Sequence, residues 1–182
     1  MKILLLIYSV LTWTYFAVSM TSHFFIAPFY AFLKMDKEYA YIRLCYPFIR
    51  VGYFLFRIRL SVKGREHIPT DTPFILMSNH QSHFDIPTML VSAPVKFAIF
   101  AKSDLLKIPI LGYDIKKMGH VAIDRENPRL AIKEMDAVAE KVKKGKSLLI
   151  FAEGTRTNDG NVGKFKRGAF SLAMDAQVPV VP

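Results

Sequence analysis

The sequence predicts an α/β layered fold preceded by an apolar helical region. Three observations carry this. Short apolar runs of strand length alternate with helix-type segments from residue 61 onward. No Asp, Glu, Lys or Arg occurs between Ile3 and Leu33. Cys45 is the only cysteine, which excludes a disulfide framework and a multi-cysteine zinc site. With 52% hydrophobic residues in 182, a disordered chain is also excluded.

The charge narrows the partners. There are 25 Lys and Arg against 15 Asp and Glu, a net charge of +10. Half of that excess lies in residues 1–60, with seven basic and two acidic side chains. That is also the most apolar part of the chain. A basic, apolar chain suits an anionic membrane surface. An acidic carrier protein or a phosphorylated substrate would suit the charge as well, whereas nucleic acid is not expected. The chain therefore divides into an N-terminal membrane-associated helical region, 1–60, and an α/β domain, 61–182.

Within the first region, Ile3–Met20 is long enough to cross a hydrocarbon core as a helix. A cleaved signal peptide competes, because Lys2 precedes the run, but the run exceeds a usual signal core and lacks a clear cleavage site. A buried core helix is the third reading. In Glu38–Leu60, Arg43, Arg50 and Arg57 recur every seven residues, so a helix would align them on one face. Pro47 is expected to kink or break that helix and turn Arg43 away, and Gly52 to weaken it. The segment reads as an interfacial helix with cations against lipid phosphates. A helix packed on the domain with solvated arginines is the plain alternative.

In the second region, strands are expected at Pro73–Ser78, Pro94–Ala101, His120–Ile123 and Ser147–Ala152, and a fifth begins at Val178–Val181. Between the third and fourth lies a helix capped by Asn127, with Pro128 at its first position and Gly145 ending it. Its buried stripe is Ala131, Met135, Val138 and Val142.

Three polar clusters follow strand ends, where α/β ligand sites lie. The first is Ser78-Asn79-His80-Gln81-Ser82-His83-Phe84-Asp85. Ser82 or Asp85 is placed to cap the following helix. His80 and Asp85, five apart, meet only in a turn that enters a helix, where a carboxylate would hold an imidazole as a general base. A metal site of His80, His83 and Asp85, or a polar turn without a role, are the alternatives. The second cluster places Arg125 after Ile123-Asp124, suited to a phosphate or to a plain surface turn. The third, Phe151-Ala152-Glu153-Gly154-Thr155-Arg156-Thr157, offers a close-approach glycine, a second arginine clamp and two hydroxyl donors. An ordinary turn with solvated charges is its alternative. No Walker loop or dinucleotide fingerprint is present.

In this order and spacing the clusters resemble the glycerophospholipid acyltransferase family, in particular bacterial 1-acyl-glycerol-3-phosphate acyltransferases. Asn79, His80 and Asp85 match its Asn-His-x4-Asp block, and Ile123, Asp124 and Arg125 its Ile-Asp-Arg block. Phe151, Glu153, Gly154, Thr155 and Arg156 match Phe-Pro-Glu-Gly-Thr-Arg-Ser, with Ala152 and Thr157 as departures. Val178 to Pro182 matches a last Val-Pro block, and Ala101-Lys102, Leu105, Pro109 and Gly112 also look like the family. The resemblance spans residues 62–182.

The resemblance implies a mixed, largely parallel central sheet flanked by helices, of the glycerol-3-phosphate acyltransferase type, with an N-terminal membrane-embedding helical pair. Because relatives continue past their last block, the α/β domain is expected to be C-terminally truncated at Pro182. It implies acyl transfer from an acyl thioester, on acyl carrier protein or coenzyme A, to lysophosphatidic acid, giving phosphatidic acid with no cofactor and no metal. His80 would be the general base and Asp85 its orienting group. Arg125 and Arg156 would hold the phosphate in a pocket shaped by Glu153, Gly154 and Thr155, supported by Asn79 and Lys102. The expected location is a bacterial inner membrane, with the catalytic domain on the cytoplasmic face. Transfer to glycerol-3-phosphate or another lysophospholipid, non-catalytic membrane binding, and metal-dependent hydrolysis are the alternatives.

Overall fold

The computed structural model describes residues 2–32, 37–93, 95–124, 127–157 and 159–182, without the side chains of 20, 22–32, 37–44, 110, 114 and 128. Two compact units form. One is Met1–Lys63 with Ile86–Pro94, and the other is Gly64–Asp85 with Val95–Pro182.

The first unit pairs two long helices, α1 (Lys2–Phe32) and α2 (Lys37–Leu55). Tyr15 Oη donates to the Phe48 carbonyl at 2.9 Å, and the rings of Tyr15 and Phe16 pack on Phe56 and Tyr53. Gly52 permits this approach, since a Cβ there would stand 2.7 Å from Tyr15 Cε1 and 2.9 Å from Phe16 Cζ. Its role is close packing as much as helix weakening. Cys45 is buried within this unit. The outer surface of α1 stays apolar, with Ile3 74% exposed and Leu4 72%. A soluble core helix would bury such residues. By length and composition Lys2–Ser19 is able to cross a membrane.

Of the kink or break expected at Pro47, the break does not occur, since the helix continues through Pro47 to Leu55. A second expectation for α2 is corrected. The arginine stripe does not extend to Arg57. The helix ends first, and Arg57 takes a left-handed conformation, φ 53°, while the Ile58 N–H reaches back to the Tyr53 carbonyl at 2.8 Å. Arg50 remains on the helix, exposed, with its guanidinium 4.9 Å from the Tyr46 ring centroid. Arg43 lies outside the described side chains. A third helix, α3 (Asp85–Ser92), follows the first polar cluster, and Tyr53 Oη and Thr88 Oγ1 join at 2.7 Å.

The second unit is an open sheet of β1 (Ile75–Ser78), β2 (Ala98–Lys102), β3 (Val121–Ile123), β4 (Leu148–Phe151) and β5 (Val180–Val181). The spatial order is β3-β2-β4-β1-β5, and every described ladder is parallel. The sheet is therefore the parallel, helix-flanked layer expected, and its mixed character does not show among the described residues. The crossovers use α4 (Pro109–Lys117), α5 (Pro128–Lys143) and α6 (Arg167–Ala176).

The residues explain these elements. Asn127 Oδ1 accepts from the Leu130 N–H at 3.2 Å and caps α5, and Gly145 exits it at φ +103°. Alternate strand residues Ile75, Met77, Ala98, Val121, Ile123, Leu148 and Ile150 form one apolar face. Val138, Ala139 and Val142 of α5 and Ala169, Leu172, Ala173 and Ala176 of α6 cover it. Leu76, Ile99 and Leu149 on the opposite face are buried too, as a parallel sheet requires. Since all strands run one way, Ser78, Lys102, Ile123 and Phe151 end at the same rim.

Candidate active site

The site begins where β1 runs out at Ser78. Two residues on, His80 Nδ1 lies 2.6 Å from Asp85 Oδ2, with side-chain exposures of 17% and 19%. The same carboxylate oxygen accepts the backbone N–H groups of Gln81 at 2.7 Å and Ser82 at 2.9 Å. An oxygen accepting two N–H bonds is an acceptor toward the ring as well. Nδ1 therefore carries a proton, and in the neutral ring the lone pair falls to Nε2. The turn that makes this possible is tight: Ser82 Oγ accepts from the Phe84 N–H at 3.1 Å, and α3 starts at Asp85. Ser82 thus caps the turn, and Asp85, at the first helical position, turns back to the histidine. The ring of His80 stacks on Phe151, the last residue of β4, with centroids 3.9 Å apart.

The loop after β4 closes against this turn. Glu153 is buried, and its oxygens accept the backbone N–H groups of His80 and Gly163. Each oxygen of Glu153 thus accepts one main-chain donor, and the side chain ties the loop after β4 to the histidine turn. The Thr157 N–H donates to the His80 carbonyl at 3.2 Å, and its hydroxyl lies 2.9 Å from Gln81 Oε1 and 2.7 Å from the Asn161 carbonyl. That hydroxyl is therefore engaged internally. Gly154 turns at φ +72°, which a Cβ would strain. Thr155 and Arg156 are exposed on this turn, and Asn79 is exposed on the first.

Electrostatics place Arg156 near the histidine turn. The His83 pKa lies below its ordinary value through desolvation first, then through the charges of Arg156 and His80, with Asp85 opposing. Lys102, at the end of β2, does not stand alone: its ammonium is 2.6 Å from Asp104 Oδ2, and Lys107 meets the other oxygen at 2.7 Å. Hydrogen bonds from these two lysines bring the Asp104 carboxyl down to about 2. Arg125 lies outside the described residues. Its neighbour Asp124 follows β3, three strand positions from β1, or about 14 Å at the usual strand spacing. Among the described residues no three of His, Cys, Asp and Glu converge as metal ligands.

Below the rim lies a cavity of about 270 Å³, lined by Phe100, Ile123, Met135, Ile150 and Phe151, with Lys166 as its charged wall. Phe151 thus serves both the cavity and the histidine. The stack on Phe151 and the main-chain hold on His80 were not foreseen from sequence. Phe151 stood there as the first position of the third cluster and of its matching family block, with no contact to the histidine implied.

A family model described as Acyltransferase matches residues 59–182. The 1-acyl-sn-glycerol-3-phosphate acyltransferase of Pseudomonas aeruginosa is 36% identical over 166 residues, covering 89% of this chain and 62% of that protein. The chloroplastic 1-acyl-sn-glycerol-3-phosphate acyltransferase LPAT1 of Arabidopsis thaliana is 41% identical over 125 residues, covering 68% of this chain and 35% of that protein. The chain thus spans only part of these curated relatives. The crystal structure of the 1-acyl-sn-glycerophosphate (LPA) acyltransferase PlsC from Thermotoga maritima matches with a TM-score of 0.81 at 28% identity, covering 100% of this chain and 74% of that one.

Proposed function

The chain belongs to the acyltransferase family, and from that membership we propose that it transfers an acyl chain from a thioester to the free hydroxyl of 1-acyl-sn-glycerol-3-phosphate, giving phosphatidic acid. The observation that carries this is the 2.6 Å bond between His80 Nδ1 and Asp85, which leaves Nε2 as a base at the sheet rim. An alcohol is a weak nucleophile at neutral pH. In this reading Nε2 takes the hydroxyl proton as the oxygen attacks the thioester carbonyl. Asp85 stabilises the imidazolium so formed. When the tetrahedral intermediate collapses, the C–S bond breaks and the imidazolium returns its proton to the departing thiolate. The products are phosphatidic acid and a free thiol, and no enzyme nucleophile is needed.

Arg156, exposed beside the histidine turn, supplies a planar fork for the acceptor phosphate, and Arg125 is the second such group. Thr155 and the Gly154 backbone border that place. Lys102 and Asn79 serve as rim support. The donor is acyl carrier protein or coenzyme A, both anionic partners for a chain of net charge +10. The exposed apolar surface of α1 suits residence in a membrane, where both amphiphilic lipids are found. In this reading the catalytic unit works at the cytoplasmic face of a bacterial inner membrane, where a water-soluble thioester can reach it.

The test is a radiolabelled transfer assay with detergent-solubilised chain, both donors, and lysophosphatidic acid, glycerol-3-phosphate and other lysophospholipids as acceptors. Transfer to lysophosphatidic acid, abolished in a folded His80→Ala variant, supports the reading. Undiminished transfer in that variant overturns it.

A further inference from the structure

We infer that Glu153 and Gly163 together position the general base through its main chain. The inference rests on His80 being that base. Glu153 is only 3% exposed, yet among the described residues no cation pairs with it. Its charge is balanced by two backbone donors, the N–H of His80 and the N–H of Gly163. Such charge-assisted bonds are short and directional, and a buried carboxylate that loses one cannot turn to water. The Thr157 N–H holds the His80 carbonyl at 3.2 Å. The main chain of His80 is therefore gripped on both its polar groups by the loop after β4.

Gly163 completes the device from the far side. A Cβ there would stand 2.6 Å from Glu153 Oε2 and 3.2 Å from Thr157 Cγ2. The missing side chain is the space that the carboxylate occupies. Glu153 points at the peptide of the base and not at a ligand phosphate, which its charge would repel. It touches no reacting atom, so it is a positioning residue that acts through His80.

The experiment compares Glu153→Gln, Gly163→Ala and the double variant in the full chain, with folding followed by circular dichroism. Gln keeps one acceptor and presents an N–H₂ to the other donor. Ala at Gly163 needs no unusual backbone and presses chiefly on the carboxylate, with a looser contact to the Thr157 methyl. The readouts are kcat, acceptor KM, and the imidazole resonances of His80 in ¹⁵N-histidine-labelled protein, assigned by their loss in His80→Ala. Each single variant is expected to shift the His80 Nδ1–H resonance and lower kcat about 10- to 100-fold, with acceptor KM within about twofold. The double variant is expected to fall short of the product of the two, since both act on one carboxylate. Folded variants with unchanged resonance and kcat overturn the inference, and so does a raised KM at constant kcat. A wild-type chain without transfer whose resonance still moves in both variants overturns the acyl-transfer reading and leaves the positioning role intact.

Discussion

His80 lies flat on Phe151, ring centroids 3.9 Å apart and planes within 11° of parallel. Asp85 fixes one nitrogen of the imidazole, and the stack fixes its plane. Strand register sets the platform, because Phe151 pairs with Ser78 and His80 follows Ser78 by two residues. Phe151→Leu keeps apolar bulk and removes the stack. It is expected to lower kcat about 2- to 10-fold, the rate equivalent of the ~0.5–1.5 kcal/mol that ring pairing carries. Acceptor KM should not move. Steady-state kinetics in detergent micelles checks this, and an unchanged kcat would show that the stack does not hold the ring.

Asp85 combines two duties that substitution can separate. Its Oδ2 supports the turn through the Gln81 and Ser82 N–H groups, and it orients and neutralises the His80 ring. Asp85→Asn keeps an acceptor oxygen but loses the charge. Transfer is expected to fall about 10²- to 10⁴-fold with little change in melting temperature. Asp85→Ala also strips two backbone donors of their partner, adding about 1–3 kcal/mol of instability for each donor left buried and unpaired. Thermal melts of the two variants beside their activities separate the duties. Equal melting temperatures would show that the turn stands without the carboxylate.

The Arg156 charge is expected to reveal itself in the titration of His83. Desolvation, Arg156 and His80 all lower that pKa. Below the ordinary histidine value the unfolded chain then binds more protons than the native one, so this group's contribution to stability rises with pH there. It is fully present above the ordinary value and is lost as pH falls through the depressed folded one. Arg156→Gln removes one of the causes. The His83 midpoint should rise toward, but not reach, the ordinary value, while acceptor KM increases and kcat changes little. NMR titration and an acceptor series measure both. An unmoved midpoint would remove Arg156 from the histidine turn, and an unmoved KM would remove it from the phosphate.

Much of this architecture was legible because it rests on short-range rules. The Asn127 cap, Pro128 and the Gly145 exit mark α5 with local chemistry, and the four-residue apolar runs mark β1 and β4. Helix α6 was not foreseen. Its buried face is made of Ala169, Leu172, Ala173 and Ala176, small residues that read as weakly apolar until a sheet is placed against them. The Arg43, Arg50 and Arg57 stripe failed for the converse reason, since a seven-residue repeat carries no information about where the helix stops. The His80–Asp85 bond was legible as a spacing compatible with a turn. The bond from the His80 N–H to Glu153, by contrast, joins residues 73 positions apart in chain order, and only the β1–β4 pairing brings them together. No local pattern distinguishes a carboxylate aimed at a peptide from one aimed at a ligand.

Gly112 provides a stability test of the rim beside Lys102. It lies in α4, buried, and a Cβ built on it would overlap the Leu106 carbonyl and stand 2.9 Å from Leu106 Cα, in the turn that carries Asp104. Two effects of Gly112→Ala oppose each other. Ala favours a helix interior over Gly by about 1 kcal/mol. The new methyl meets backbone that no rotamer change can move, and such overpacking costs about 1–3 kcal/mol or more. The steric term is the larger, so α4 must shift away from the Ser103–Lys107 turn. A melting temperature lower by about 2–8 °C is expected for a chain of this size. Displacement of that turn should also weaken the contacts of Asp104 with Lys102 and Lys107, raising its pKa from the value of about 2 that they maintain. A calorimetric melt and a carboxylate titration by NMR measure the two. A melting temperature equal to or above the parent's would show that helix propensity outweighs the clash and that the turn yields without cost.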